Sequence, residues 1–266
     1  GSSSIFILAA KKISEKITRR TKAIMPVHLY GQQSKTEKIV EIADKHGIVV
    51  IEDACQAHGS LRHSKSPGYL TNSATYSFYP GKNLGAFGDA GLVISDDENL
   101  IEKIKKLRNY GQSKKYYHDV QGFNKRLDGM QAAILRVKLR FLDEWNDSRR
   151  KSAQSLIERL KNIHEVELPE ILEGNTHTYH IFAIKTDDRE ELQQYLSEKN
   201  IETGIHYPIP IHLQECFRHL NISPGSFPIT EKIARRTLSL PLFPFMKEDE
   251  LDYIAESIRT FYKTKK

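Results

Sequence analysis

The stretch "SKTEKIVEIADKHGIVVIED", Ser34 to Asp53, decides the fold. Ser34 offers a helix start, Ile39, Ile42 and Ala43 share one face, and Gly47 offers a stop, so residues 34–47 are predicted helical. "IVVIED" (48–53) follows at once as a continuous apolar run, the pattern of a strand buried on both faces. Before this unit, "AIMPVHLYG" (23–31) is a short apolar run ending at glycine. Beyond it, "SATYSFY" (73–79) and "AGLVIS" (90–95) read as strands, and "DENLIEKIKKLRNYG" (97–111) as a helix with Leu100, Ile104 and Leu107 in phase. The alternation predicts an α/β layer with a largely parallel sheet.

The pattern changes after residue 126. Residues 127–162, starting "LDGMQAAILRVKL", are predicted helical over more than thirty positions. Then come "HTYHIFAIKT" (177–186) as strand, "DREELQQYLSEKN" (188–200) as helix and "IETGIHYP" (201–208) as strand. Past a Pro-rich loop, "ITEKIARRTLSL" (229–240) and "KEDELDYIAESIRTFYK" (247–263) are predicted helices. The expected organisation is a large α/β domain over 1–126, a connecting helix over 127–164, and a small α+β domain over 165–266.

Composition narrows the function. Of the 266 residues, 39% are hydrophobic and 28% charged, which suits a soluble globular protein. No apolar run approaches the ~20 residues of a membrane span. "SSSIFILAA" is short and has no basic segment before it, so no secretory leader is expected. Cys55 and Cys216 have neither metal-site spacing nor a disulfide framework, which predicts a reducing, cytoplasmic setting and no metal. The net charge of +6 is spread along the chain without a basic helix, so anionic small molecules are expected as partners rather than nucleic acid.

"SFYPGKNLGAFGDAGLV" (77–93) breaks its strand at Pro80-Gly81 and sets Lys82 among Gly81, Gly85 and Gly88. Such a lysine is either a solvated loop cation or an amine held for covalent chemistry, with glycines that let backbone approach a ligand. Asp53 ends its strand, and ligands collect at the carboxyl ends of strands in open α/β sheets. An acid there can also cap a helix or pair with a neighbour. Taken together, Lys82 and Asp53 could supply the two groups that a pyridoxal phosphate site requires, an amine for the cofactor aldehyde and a carboxylate for the pyridine nitrogen.

Six blocks carry a resemblance. "TKAIMPVHLYGQ" (21–32), "IEDACQAHG" (51–59), "SFYPGKNLGAFGDAG" (77–91), "LRNYGQ" (107–112), "GFNKRLDGMQAAILRVKL" (122–139) and "IETGIHYPIPIHLQ" (201–214) resemble the DegT/DnrJ/EryC1/StrS family of sugar-nucleotide aminotransferases. The resemblance implies pyridoxal 5'-phosphate as cofactor and the fold of the type I pyridoxal-phosphate-dependent transferases. It implies transfer of an amino group, with glutamate as the expected donor, to a keto group of a nucleotide-linked keto-deoxy sugar. "SFYPGKNLG" most resembles members that aminate C3 of a 3-keto sugar.

By the same resemblance, Lys82 joins the cofactor and Asp53 partners the pyridine nitrogen. Gln56 lies close to the cofactor ring, and Ser77 binds the phosphate. Asn124 reaches the phosphate of a neighbouring subunit's cofactor, which implies a homodimer with shared sites. Arg126, His206 and Tyr207 are implied on the substrate side. From the residues alone, Ser77 could equally be a core hydroxyl, Asn124 a turn residue and His206 a packed loop histidine. His28 and His58 read as structural, and the role of Tyr30 is open.

The family carries a further N-terminal segment with the first sheet strands and a helix start that receives the cofactor phosphate. The large domain is therefore expected to be N-terminally incomplete here. Two rival expectations follow: an oligomerisation or interaction fragment that cannot hold the cofactor, and a sugar dehydratase. The dehydratase relatives replace the lysine with histidine, so Lys82 argues against the second.

Overall fold

The computed structural model describes residues 10–265. Its first strand pairing joins β1 (Ala23–Ile24) to β2 (Val49–Asp53) in parallel, with Ala23 opposite Val49. Between them runs α1 (Thr36–Lys45). Ile39 and Ala43, four apart, bring one face of α1 onto Ile24, Ile48 and Val50. Gly47 ends the helix in a left-handed conformation (φ 61°). There Ile48 N donates to Ala43 O (3.0 Å) and Gly47 N to Asp44 O (3.2 Å), the paired bonds of a Schellman stop. The helix thus hands the chain directly to β2.

After the two-residue β3 (Leu61–Arg62) come β4 (Ser73–Ser77) and β5 (Gly91–Ile94). The sheet order is β1-β2-β4-β5, with β4 parallel to β2 and β5 antiparallel to β4. The sheet is therefore largely parallel, as the sequence implied. One expectation fails: β2 is not buried on both faces. Val50 and Glu52 point into the core, whereas Val49 is 42% exposed and Ile51 and Asp53 are half-buried. α1 covers one face only, and the strand's period of two divides its residues accordingly.

Glu52 is a carboxylate on the core side of β2. It accepts from His28 Nε2, Thr71 Oγ1 (2.6 Å) and Gly68 N (2.8 Å). Burial alone would raise its pKa, but these bonds outweigh it and hold the group below the usual carboxylate range. His28 also accepts from Ser34 N through Nδ1 (3.2 Å), so its proton sits on Nε2, facing Glu52. His28 is the bonded structural histidine the sequence suggested.

α2 (Glu98–Arg108) is capped by Asp97, whose carboxylate accepts from Asn99 N and Leu100 N. A small hairpin follows, β6 (Gln112–Lys114) with β7 (Tyr117–His118). α3 (Gly129–Lys138), a 3₁₀ turn (Leu139–Phe141) and α4 (Leu142–Leu160) then make up the long helical region. β8 (Asn175–Thr176) pairs with β3.

The described chain forms two compact units, one of residues 10–144 with 172–180, the other of residues 145–171 with 181–265. Their boundary falls inside α4, and residues 172–180 belong to the first unit although the sequence reading assigned them to the segment 165–266. Thr178 N donates to Gly31 O (3.0 Å) and His180 N to Tyr30 O (2.8 Å), so this stretch lies along the Tyr30–Gly31 turn instead of starting a strand.

In the second unit, β9 (Phe182–Lys185) pairs antiparallel with β10 (Thr237–Leu240). α5 (Arg189–Glu198), α6 (Pro228–Arg236) and α7 (Glu248–Lys265) complete it. Leu156, Leu160, Leu192, Leu196, Leu251 and Ile258 are fully buried. Two readings are corrected here. The predicted helix over 229–240 stops at Arg236, and Thr237–Leu240 becomes a buried strand. "IETGIHYP" is not a strand: only Gly204 bridges to Ser239, and Pro208 and Pro210 carry no donor to extend a ladder.

Candidate active site

β2 and β4 run parallel, so their carboxyl ends lie together. Asp53 closes β2 and accepts from Cys55 N through Oδ1 (3.0 Å), which fixes its side chain over the turn that follows. Gln56, buried in that turn, accepts from Tyr30 N through Oε1 (2.7 Å). Tyr30 has φ 60°, unusual for a non-glycine residue, and is buried. One amide thus ties the loop after β2 to the loop after β1.

Lys82 follows the end of β4. Its loop is held from below: Leu84 and Ala86 bury against Leu135 and Leu142, and Phe87 N donates to Gln131 Oε1 on α3 (2.7 Å). Lys138 of α3 donates to Gly85 O. Of the three glycines, only Gly85 is sterically required, since a Cβ there would stand 2.3 Å from Pro80 O. That contact is what makes the tight loop require glycine here. At Gly81 and Gly88 a Cβ would meet nothing nearer than 3.5 Å.

Lys82 is half-buried, and burial lowers the pKa of its amine, with the Cys55 and Asp53 charges opposing the shift. An amine so placed sheds its proton more readily than a solvated lysine. Cys55 moves the other way: burial and then Asp53 push its thiol up to about 11, so it is no nucleophile. His58 is lowered by burial to about 4 and packs against Tyr76 and Phe78 as a neutral ring. It is a wall residue, in line with its structural reading.

Ser77, the last residue of β4, is half-buried, and its Oγ accepts from Tyr79 N (3.2 Å). Accepting that bond leaves the hydroxyl its own proton to donate. Asn124 and Arg126 are exposed in the same unit. Asn124 bridges to Asn109, and Arg126 lies over the Tyr110 ring (5.2 Å) with a guanidinium nitrogen 3.5 Å from Asn109 Oδ1. His206 and Tyr207 belong to the other unit. There His206 Nδ1 lies 2.9 Å from Ser239 Oγ, and Tyr207 is exposed.

Sequence reasoning missed His180 and Asn83. Lys82 Nζ lies 3.5 Å from His180 Nε2, and His180 Nδ1 lies 3.3 Å from Asn83 Oδ1. Asn83 is next to Lys82 in the chain and could have been noticed there. His180 comes 98 positions after Lys82, and no local pattern links the two.

A half-buried carboxylate and a desolvated amine stand at the carboxyl ends of parallel strands, and the fold around them is that of the pyridoxal-phosphate-dependent transferases. The chain belongs to the DegT/DnrJ/EryC1/StrS aminotransferase family, whose sequence profile matches residues 3–259. It is 45% identical to a pleiotropic regulatory protein of Geobacillus stearothermophilus, over 97% of this chain and 70% of that one. It is 46% identical to the dTDP-3-amino-3,6-dideoxy-alpha-D-galactopyranose transaminase of Aneurinibacillus thermoaerophilus, over 94% and 68%. The crystal structure of S. venezuelae DesV in complex with a ketimine intermediate superposes with a TM-score of 0.95 at 38% identity, covering 97% of this chain and 70% of that one. The family and fold expected from the six blocks are thereby borne out.

Proposed function

We propose that this chain transfers an amino group from an amino acid, with glutamate as donor, to a keto group of a nucleotide-linked keto-deoxy sugar. Its cofactor in this reading is pyridoxal 5'-phosphate, held on Lys82. The observation that carries the reading is the placement of the Lys82 amine and the Asp53 carboxylate past the carboxyl ends of neighbouring parallel strands, where the Asp53 charge acts on the amine, in a member of an aminotransferase family. The residues fit the group: an amine of lowered pKa, a carboxylate fixed by Cys55 N, and a Ser77 hydroxyl with a proton to give.

Bound pyridoxal phosphate supplies an electron sink for the carbanion at the amino-acid Cα. The other roles belong to the chain. Lys82 Nζ takes the proton from Cα and returns it later, as base and then acid. Asp53 holds a proton on the ring nitrogen by its charge. Gln56, its oxygen committed to Tyr30 N, would lie beside the ring. Ser77 donates to the phosphate. Asn124 binds the phosphate of a second subunit's cofactor, making the protein a homodimer with shared sites. Arg126, His206 and Tyr207 bind the sugar nucleotide. Cys55 and Cys216 are both free thiols, which supports a reducing, cytoplasmic setting.

The test is spectroscopic. Protein mixed with pyridoxal phosphate should develop a visible absorption band that borohydride bleaches, and Lys82→Ala should not. A reducible band retained by the variant removes Lys82 from this role. Turnover of a panel of nucleotide keto-sugars then identifies the acceptor.

A further inference from the structure

His180 lies on the stretch that returns to the first unit after α4, and three bonds to other segments, with one inside the stretch, hold it there. Its own N donates to Tyr30 O, and Thr178 N donates to Gly31 O. Asn83 Nδ2 donates to Thr178 O (2.9 Å). Tyr179 is held at φ 45° while its N donates to His177 Nδ1 (2.9 Å). Gly31 (φ 103°) lets the two segments touch, because a Cβ there would stand 2.3 Å from Thr178 Oγ1. Two non-glycine residues in the left-handed region, Tyr30 and Tyr179, flank the contact, and such strain persists only where surrounding bonds over-determine it.

The bonds also fix a proton. Asn83 uses its NH₂ on Thr178 O, so its carbonyl oxygen is the atom facing His180 Nδ1. A carbonyl only accepts, so Nδ1 must carry the hydrogen. Neutral imidazole then keeps a lone pair on Nε2, the atom 3.5 Å from Lys82 Nζ.

We propose that His180, locked by Asn83 as the Nδ1–H tautomer, is a positioning residue that accepts a hydrogen bond from Lys82 Nζ and aims the amine at the reacting carbon whenever it is free. This rests on the reading of Lys82 as the reacting amine. A lysine has four rotatable side-chain bonds, and one acceptor at its tip selects a small part of that freedom. The other titratable groups facing Lys82 are Asp53, Cys55 and His58. Cys55 and His58 are neutral near pH 7, and His180 is the group whose ring nitrogen lies within reach of the amine.

Two measurements test this. The first is nitrogen NMR of the full chain, labelled in histidine and without added cofactor. A protonated Nδ1 and a bare Nε2 at His180 are expected. A protonated Nε2 overturns the proposal, whether or not pyridoxal phosphate binds. The second compares variants of the loaded enzyme. His180→Leu should lower kcat about tenfold to a hundredfold at unchanged KM. His180→Gln, which sets a carbonyl near the place of Nε2, should recover most of that loss. Equal kcat for His180→Leu and the parent overturns the proposal, and so does failure of Gln to exceed Leu when both bind cofactor. Absence of any reducible band in the parent would instead refute the function proposed for Lys82 and leave the tautomer result standing.

Discussion

The Lys82 loop and the Tyr110–Lys125 segment, which holds the small β6–β7 hairpin, are built in opposite ways. The first is bolted down. Asn83, Leu84 and Ala86 are buried, and α3 contributes Gln131 and Lys138 to its backbone. The second carries its aromatic residues outward, with Tyr116 at 78% exposure and Phe123 at 62%. Lys114 and Lys115 lie over the rings of Tyr117 and Tyr116. A loop that must place one amine needs its own chain beneath it. A segment proposed to serve another subunit's site keeps its surface for that subunit.

The sharpest way to break this comparison is to attack the amine's neighbour. Asp53→Asn keeps the shape and loses the charge, so cofactor should stay bound while transamination slows about a hundredfold or more. Near-normal turnover would give Asp53 another task. The next test acts on the second region. Inactive Lys82→Ala and inactive Asn124→Asp proteins, mixed and allowed to exchange subunits, should regain roughly a quarter of parental activity. Half the dimers are then mixed, each with one intact site. No recovery despite proven exchange returns Asn124 to its own chain's site or to none.

Gly85→Ala probes the bolted loop without touching chemistry. Its Cβ would collide with Pro80 O, so a loss of about 1–3 kcal/mol in unfolding free energy is expected, with weaker cofactor binding. By contrast, Tyr116→Ser should change stability of the separated subunit by less than about 0.5 kcal/mol while weakening self-association, read by sedimentation.

The smallest test uses pH. His177 is fully buried and lowered to about 3, and His58 is lowered to about 4, in both cases by burial. Their folded pKa values are depressed, so below about 6.5 the unfolded chain takes up protons that the native state refuses. Stability should therefore fall as pH drops from about 6.5 toward 4, by at most about 1.4 kcal/mol per pH unit for each histidine. His177→Asn keeps an acceptor for Tyr179 N and should flatten this slope. An unchanged slope would assign it to other groups.

Much of the fold was legible because local signals and burial agree. α1 shows its apolar face, its Gly47 stop and its strand in one run of twenty residues. α2 shows itself through Leu100, Ile104 and Leu107 in phase. What could not be read depended on distant partners. Thr237–Leu240 has no breaker between it and α6, and only pairing with Phe182–Lys185 makes it a strand. The exposed side of β2 was misread because an unbroken apolar run does not say how many layers cover it. At the site, Lys82 and Asp53 stood out as strand-end residues. His180 did not, since its place is set by bonds to Tyr30 and Asn83, far away in the chain.

Glu52 and Asp53 are chemically near-twins, one bond apart along β2. The first lies in the core, gripped by His28, Thr71 and Gly68, and the second faces the site. Nothing but strand parity assigns their trades. Deleting one residue within Val49–Ile51 would exchange their addresses, sending the acid proposed for catalysis inward and the structural acid out. Such a deletion would keep both carboxylates, yet unseat His28 and empty the position proposed to face the ring nitrogen together. The address is written in the pleat, so β2 should tolerate changes of side chain far better than changes of length.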